Sequence, residues 1–376
     1  MITLTNIRNK PIVKNNSRDS SFELLRIISM LMIVLHHVIY HGVPLCIQKS
    51  DNILIMNSEL SIYQKLLLEL FNCSFIYGVN IFILISGYYG IKFNFKKFLN
   101  LYLLICIYNL INLSMWPLIG IKVYSINIIN AFMPLSHPHS WFIKEYMILF
   151  LISPIINTFT TNTTKRTMQL IIVIFLFLLC YLGFMLKIMP FQGGMNIWQF
   201  VLLYLIGQYI NKFIVHNHLK KSYYFYKFIF CNFLLFIIVS FSIIFMKKHT
   251  YMPIHLLWYN NPLLIITSIY MFMIFRNFKF NNKYVNWVSS SILSIYLIQE
   301  GSEFVFYKHI YKLISIYYWE NDTIIFILYI VIYVLVLFVV SIAIDKSVKK
   351  YMINPCSDSI TCFFKMVYNK TKNIYG

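Results

Sequence analysis

The stretch "ELLRIISMLMIVLHHVIY" at positions 23–40 is apolar enough to cross a bilayer, yet it carries Glu23, Arg26, His36 and His37. Arg26 and His37 are eleven positions apart. On an α-helix, eleven steps of about 100° make three turns and about 20°, so both side chains share a face. The rise between them is about 16 Å, roughly half of a bilayer's hydrocarbon thickness. Ionisable groups at that depth are costly and usually mark a site or a pathway. Arginine suits phosphate or carboxylate, and neutral imidazole is a good base near neutral pH. An anionic co-substrate held at the Arg26 end would therefore be presented to a general base at His37. The competing structural reading has Arg26 snorkelling to the headgroups and His37 as a satisfied bundle residue. Glu23, a turn below Arg26, favours the functional one. His36 is rotated about 80° off the shared face, and His41 lies one turn above His37.

The whole chain agrees with a membrane setting. Of its 376 residues 59% are hydrophobic and only 12% charged, too few polar residues to cover a soluble domain. The apolar runs are long enough for helices rather than barrel strands. The expected fold is therefore all-α: a polytopic bundle of about ten transmembrane helices at 22–41, 74–91, 99–119, 141–158, 169–187, 198–213, 228–246, 260–276, 286–301 and 323–344. The formal net charge of +20 follows topology. With a cytoplasmic N-terminus, 22 of the 32 basic residues fall on the inside, which puts both termini in the cytoplasm. Nucleic acid is not an expected partner.

A polar N-terminal segment (1–21), a transmembrane domain (22–344) and a basic tail (345–376) are expected. The segment 60–71 has an amphipathic pattern suited to the membrane surface, and the outer loop 302–322 has room for a helix. The seven cysteines show no metal or disulfide spacing, and no metal is expected. No P-loop, Gly-x-Ser-x-Gly or His-Glu-x-x-His motif occurs. Ser86, Gly87 and Gly90 read as close-packing residues between helices. Trp141, Lys144, Glu145 and Tyr146 read as an aromatic rim with an ion pair, and His137 and His139 as outer-loop residues without ligand spacing.

Five stretches, in order, resemble the integral-membrane acyltransferases (acyltransferase family 3), which acylate bacterial surface polysaccharides. "FELLRIISMLMIVLHHVIYHG" (22–42) resembles the family's first helix with its Arg-x10-His. "GVNIFILISGYYGIKFNFKKFLNLYLLICIY" (78–108) resembles its second and third helices. "SWFIKEYMILFLISPIIN" (140–157) resembles its Trp-Phe helix, and "LYLIGQYI" (203–210) with "SSSILSIYLIQE" (289–300) its later landmarks. The resemblance implies His37 as the catalytic residue and Arg26 as a contact to acyl-CoA. Lys96 and Lys97 stand where the family often has arginines, and are the next candidates for the donor's phosphates. Gln299 stands where the family often has histidine, and with His36, Tyr296 and Glu300 it is a candidate for binding the sugar acceptor. Glu303 shares the face of Tyr296 and Glu300.

The expected activity is O-acylation, chiefly O-acetylation, of a sugar hydroxyl on a cell-surface polysaccharide or lipid-linked glycan. Acetyl-CoA is the co-substrate, no cofactor is permanently bound, and the expected location is a bacterial inner (plasma) membrane. A glycan exporter or flippase is the rival from another class. The sparse buried charge, centred on one helix, favours the enzyme.

Overall fold

The structure, a computed structural model, describes residues 19–42, 61–136, 140–214, 221–245, 255–300, 305–319 and 322–363. Every regular element among them is helical. The helices are α1 (Ser20–His37), α2 (Ile62–Phe75), α3 (Gly78–Tyr89), α4 (Phe95–Met115), α5 (Ser125–Ala131), α6 (Trp141–Asn162), α7 (Lys165–Leu176), α8 (Ile197–Phe213), α9 (Lys221–Phe245), α10 (Pro262–Arg276), α11 (Lys283–Ser289), α12 (Ile292–Glu300), α13 (Val305–Trp319) and α14 (Thr323–Val348).

Among the described residues, seven segments are long and apolar enough to cross a membrane: Ser20–His41, Ile62–Tyr89, Phe95–Ile119, Trp141–Asn162, Lys165–Met185, Lys221–Phe245 and Thr323–Phe363. The chain is a multi-pass membrane protein. The three remaining expected spans are shorter or broken. α8 has 17 residues, α10 has 15, and the expected span 286–301 divides into α11 and α12 at Ser290–Ser291. Large apolar side chains such as Phe230, Phe233 and Phe241 of α9, and Leu335 and Val339 of α14, are exposed on the outside of the bundle. Apolar faces of that extent suit lipid, not water.

α1 occupies the centre. It packs against α2, α3, α10, α11, α12 and α14. Asp19 caps its start by accepting from the Ser21 N–H at 3.1 Å, and Glu23 sits favourably in the first turn. The α-helical path is regular through His37 and widens into a π-turn over Val38–Gly42. The segment expected along the membrane surface instead starts α2 with a Ser61–Gln64 capping box. α2 then continues through a two-residue turn into α3, packing on α1 and α9.

α3 and α8 cross closely. A Cβ on Gly87 would stand 2.7 Å from Cα of Tyr204, and one on Gly207 would stand 2.6 Å from the Tyr88 nitrogen. Gly87 is thus a close-packing residue. Gly90 instead ends α3 at φ +68°, a conformation that glycine adopts without strain.

Ser289, Ser290 and Ser294 tie α11 and α12 to α1 and to the last helical segment. Ser289 donates to Glu23 of α1. Ser290 receives Lys346 Nζ on its hydroxyl at 2.6 Å and Lys349 Nζ on its carbonyl at 2.8 Å. Ser294 donates to Asp345, which is fully buried and also accepts from Lys349 at 2.8 Å. The last helical segment runs past Ile344 to Phe363. Val305–Trp319 is helical, as the length of the outer loop suggested.

Candidate functional site

α1 and the α11–α12 pair lie side by side and run in the same direction. At the end where α1 begins, the Ser20 hydroxyl donates to Asn286 Oδ1 at 2.9 Å and Ser289 donates to Glu23. Farther along, Gln299 Nε2 lies 3.5 Å from the Val34 carbonyl, and Glu300 Oε2 lies 3.2 Å from His37 Nδ1. A parallel neighbour thus supplies a polar partner to Glu23 and to His37 of α1.

At the first end, Arg26 Nη1 donates to Glu23 Oε1 at 2.8 Å. Glu23 is buried, while 30% of the Arg26 side chain remains exposed. Glu23 fixes the guanidinium from below, and its other oxygen is held by Ser289. Lys96 is paired with Asp358 from the last helical segment. Lys97 and Lys92 are exposed near the start of α4. The structure therefore gives Arg26 a built setting and the lysines a surface one.

About 16 Å farther along the axis, His37 is buried with its ring 6.3 Å from that of Tyr296. The His37 and Glu300 atoms are at ion-pairing distance but off the angle of a hydrogen bond. Such contacts often tighten only when substrate binds. Tyr296 shares a 2.5 Å hydrogen bond with the Ser140 hydroxyl at the start of α6. Ser140, Tyr296 and Glu300, with Asn109 of α4, line a small recess that is partly open to solvent. Two of its lining residues, Tyr296 and Glu300, also neighbour the imidazole.

Two other candidates point elsewhere. Gln299 is fully buried and donates to the Tyr311 hydroxyl at 2.5 Å. Its amide also lies within hydrogen-bonding reach of His37. It therefore sits behind the imidazole and does not line the recess. His36 faces α2, where it meets Asn72 and stacks on Tyr40 at 5.3 Å. The structure thus brings Arg26, His37, Tyr296, Gln299 and Glu300 along one seam and sends His36 to the other side of α1.

Ser289, Ser140, Asn109 and Tyr311 were not singled out in the sequence. Nothing local distinguishes a serine or asparagine that faces a distant helix from one that caps a turn. The Lys144–Glu145 pair stands 3.7 Å apart at the start of α6, and Trp141 packs on Tyr259 at 5.3 Å. His137, His139 and Glu303 lie outside the described residues. Among the described residues no group of His, Cys, Asp or Glu is arranged to hold a metal ion.

A protein-family model described as an acyltransferase domain matches residues 19–346, which covers α1 through the buried Asp345. No curated protein and no solved structure matches the chain.

Proposed function

The chain belongs to the acyltransferase family 3, and on that premise we propose that it transfers an acetyl group from acetyl-CoA to a sugar hydroxyl of a cell-surface polysaccharide or lipid-linked glycan. The location proposed is a bacterial plasma membrane, with both termini in the cytoplasm. The observation that carries the reading is the His37–Glu300 pair behind the recess, with Arg26 on the same helix face about 16 Å away.

The donor enters from the end of the bundle where α1 begins. Arg26, steadied by Glu23, meets its phosphates, and Lys97 adds a surface charge. The acyl end runs along α1 towards His37. The acceptor enters through the recess, where Asn109, Ser140, Tyr296 and Glu300 offer groups for sugar hydroxyls. Glu300 and Gln299 orient the imidazole, Glu300 from the Nδ1 side. Nε2 then takes the proton from the acceptor hydroxyl as its oxygen attacks the thioester carbonyl. The new C–O bond forms, the C–S bond breaks, and the proton passes from His37 to the leaving thiolate. General-base help of this kind is worth about 10²–10⁴-fold in rate, and Glu300 stabilises the imidazolium as it forms. Holding two substrates from opposite sides in line supplies a further share.

The test is transfer of radiolabelled acetyl from acetyl-CoA into base-labile glycan, in membranes containing equal amounts of wild type or His37→Ala. Label in the wild type that vanishes in the variant is expected. Normal labelling by His37→Ala overturns the mechanism. No label in either, with glycan export falling when the protein is removed, favours the exporter.

A further inference from the structure

Arg276, the last residue of α10, is 4% exposed. Its Nη2 donates to the Ile214 carbonyl at the end of α8, at 2.5 Å. Its Nε is buried and has no hydrogen-bond partner, and no carboxylate pairs with the guanidinium among the described residues. A buried charge left this way is expensive unless something completes it. The guanidinium lies 5.9 Å from the ring of Tyr88. Tyr88 in turn meets Phe22 at 5.1 Å and Tyr89 edge-on at 5.3 Å.

Tyr89 is different in kind from its neighbours. It is 46% exposed although it touches Phe22 at 5.4 Å. It also lies near enough to Arg26 and Glu23 to sense their charges. Arg276 and Arg26 thus flank one aromatic cluster, at the end of the bundle where α1 begins and where Ser20 bonds the Phe280 carbonyl. One arginine is committed to Glu23, while the other has donors to spare and no acid beside it. An uncompensated guanidinium fork fits a phosphate oxygen pair. An exposed ring beside it fits the face of a purine.

We propose that Arg276, together with Arg26 and the open face of Tyr89, forms a cradle for the phosphates and purine of the acyl donor's nucleotide handle. The assignment rests on the acyl-CoA reading above and extends it to residues on α3 and α10. The phosphates would complete the buried donor at Arg276 and the exposed part of Arg26, leaving the pantetheine arm to follow α1 towards His37.

The test is equilibrium binding of CoA, and separately of S-acetylpantetheine, to the full-length protein in detergent micelles with no acceptor present. Arg276→Gln is expected to weaken CoA about ten- to hundredfold, with S-acetylpantetheine binding unchanged. Tyr89→Ala, at a half-exposed position, is expected to weaken CoA about fivefold or more. Wild-type CoA affinity in either variant overturns the cradle. If that result comes with acetyl transfer intact, the acyltransferase reading survives without it. A wild-type protein that binds no CoA overturns both.

Discussion

Glu300 Oε2 stands 3.2 Å from His37 Nδ1 because the α11–α12 pair runs parallel to α1, tied to it by Ser289 on Glu23 at one end and Gln299 beside Val34 near the other. An acid in that position holds the ring in one orientation and steadies the charge it gains. Glu300→Gln keeps the volume and loses the charge. It is expected to lower kcat about 100-fold or more while the KM for acetyl-CoA stays within about threefold. The check is steady-state transfer at saturating acceptor. A near-normal kcat would reduce Glu300 to an outer-rim carboxylate.

The α3–α8 crossing gives a stability prediction. An alanine at Gly87 meets the Tyr204 backbone, which cannot move aside as a flexible side chain would. Overpacking of this sort costs about 1–3 kcal/mol and occasionally more. Gly120 is a matched control: its φ is +78° and nothing lies within 4 Å of an added Cβ. Gly120→Ala is therefore charged only with backbone strain, about 1–2 kcal/mol. Thermal unfolding in detergent should show the larger loss for Gly87→Ala. An equal or smaller loss would mean that the crossing is looser than its geometry.

Asp345 is fully buried among Ser294 and Lys349. Asp345→Asn keeps the shape but removes the charge that both partners address. The expected loss is about 1–3 kcal/mol of stability, because Lys349, 35% exposed, can turn to water while Ser294 cannot. Melting temperature should fall, and the KM for acetyl-CoA in the surviving folded protein should not change. A raised donor KM at normal stability would move Asp345 from the frame to the site.

The elements on α1 were legible because they lie on one helix, where the 3.6-residue period alone decides who faces whom. Gly87 was legible for the same kind of reason: a glycine among bulky residues signals a close crossing. Glu300 was harder. It stands at the end of an apolar run, and a carboxylate there reads equally as solvated or as buried until the neighbouring helix is known. Gln299 shows the limit from the other side, since its register puts it behind the imidazole and not in the recess. Arg276 reads as an ordinary positive-inside anchor, because a cation at a helix end looks the same whether its head reaches water or turns inward. The break between α11 and α12 hid within a run of three serines, the first two of which bond Glu23 and Lys346 across the bundle.

Arg26 and Lys96 were joint candidates for the donor's phosphates, and their surroundings now separate them. Lys96 is paired with Asp358, with 47% and 61% of the two side chains exposed. An exposed pair of this kind is worth about 1 kcal/mol or less, and its lysine is already engaged. Arg26 is held in place by the buried Glu23 and still presents part of its fork. Arg26→Gln is expected to raise the KM for acetyl-CoA about tenfold or more. Lys96→Gln should change it less than about threefold. Both follow from initial rates over a range of acetyl-CoA concentrations, with S-acetylpantetheine as the donor that lacks the nucleotide. With that shorter donor the two variants should behave alike, since neither charge has a phosphate to meet. A Lys96→Gln effect as large as that of Arg26→Gln would shift the donor's path from the centre of α1 to the outer start of α4.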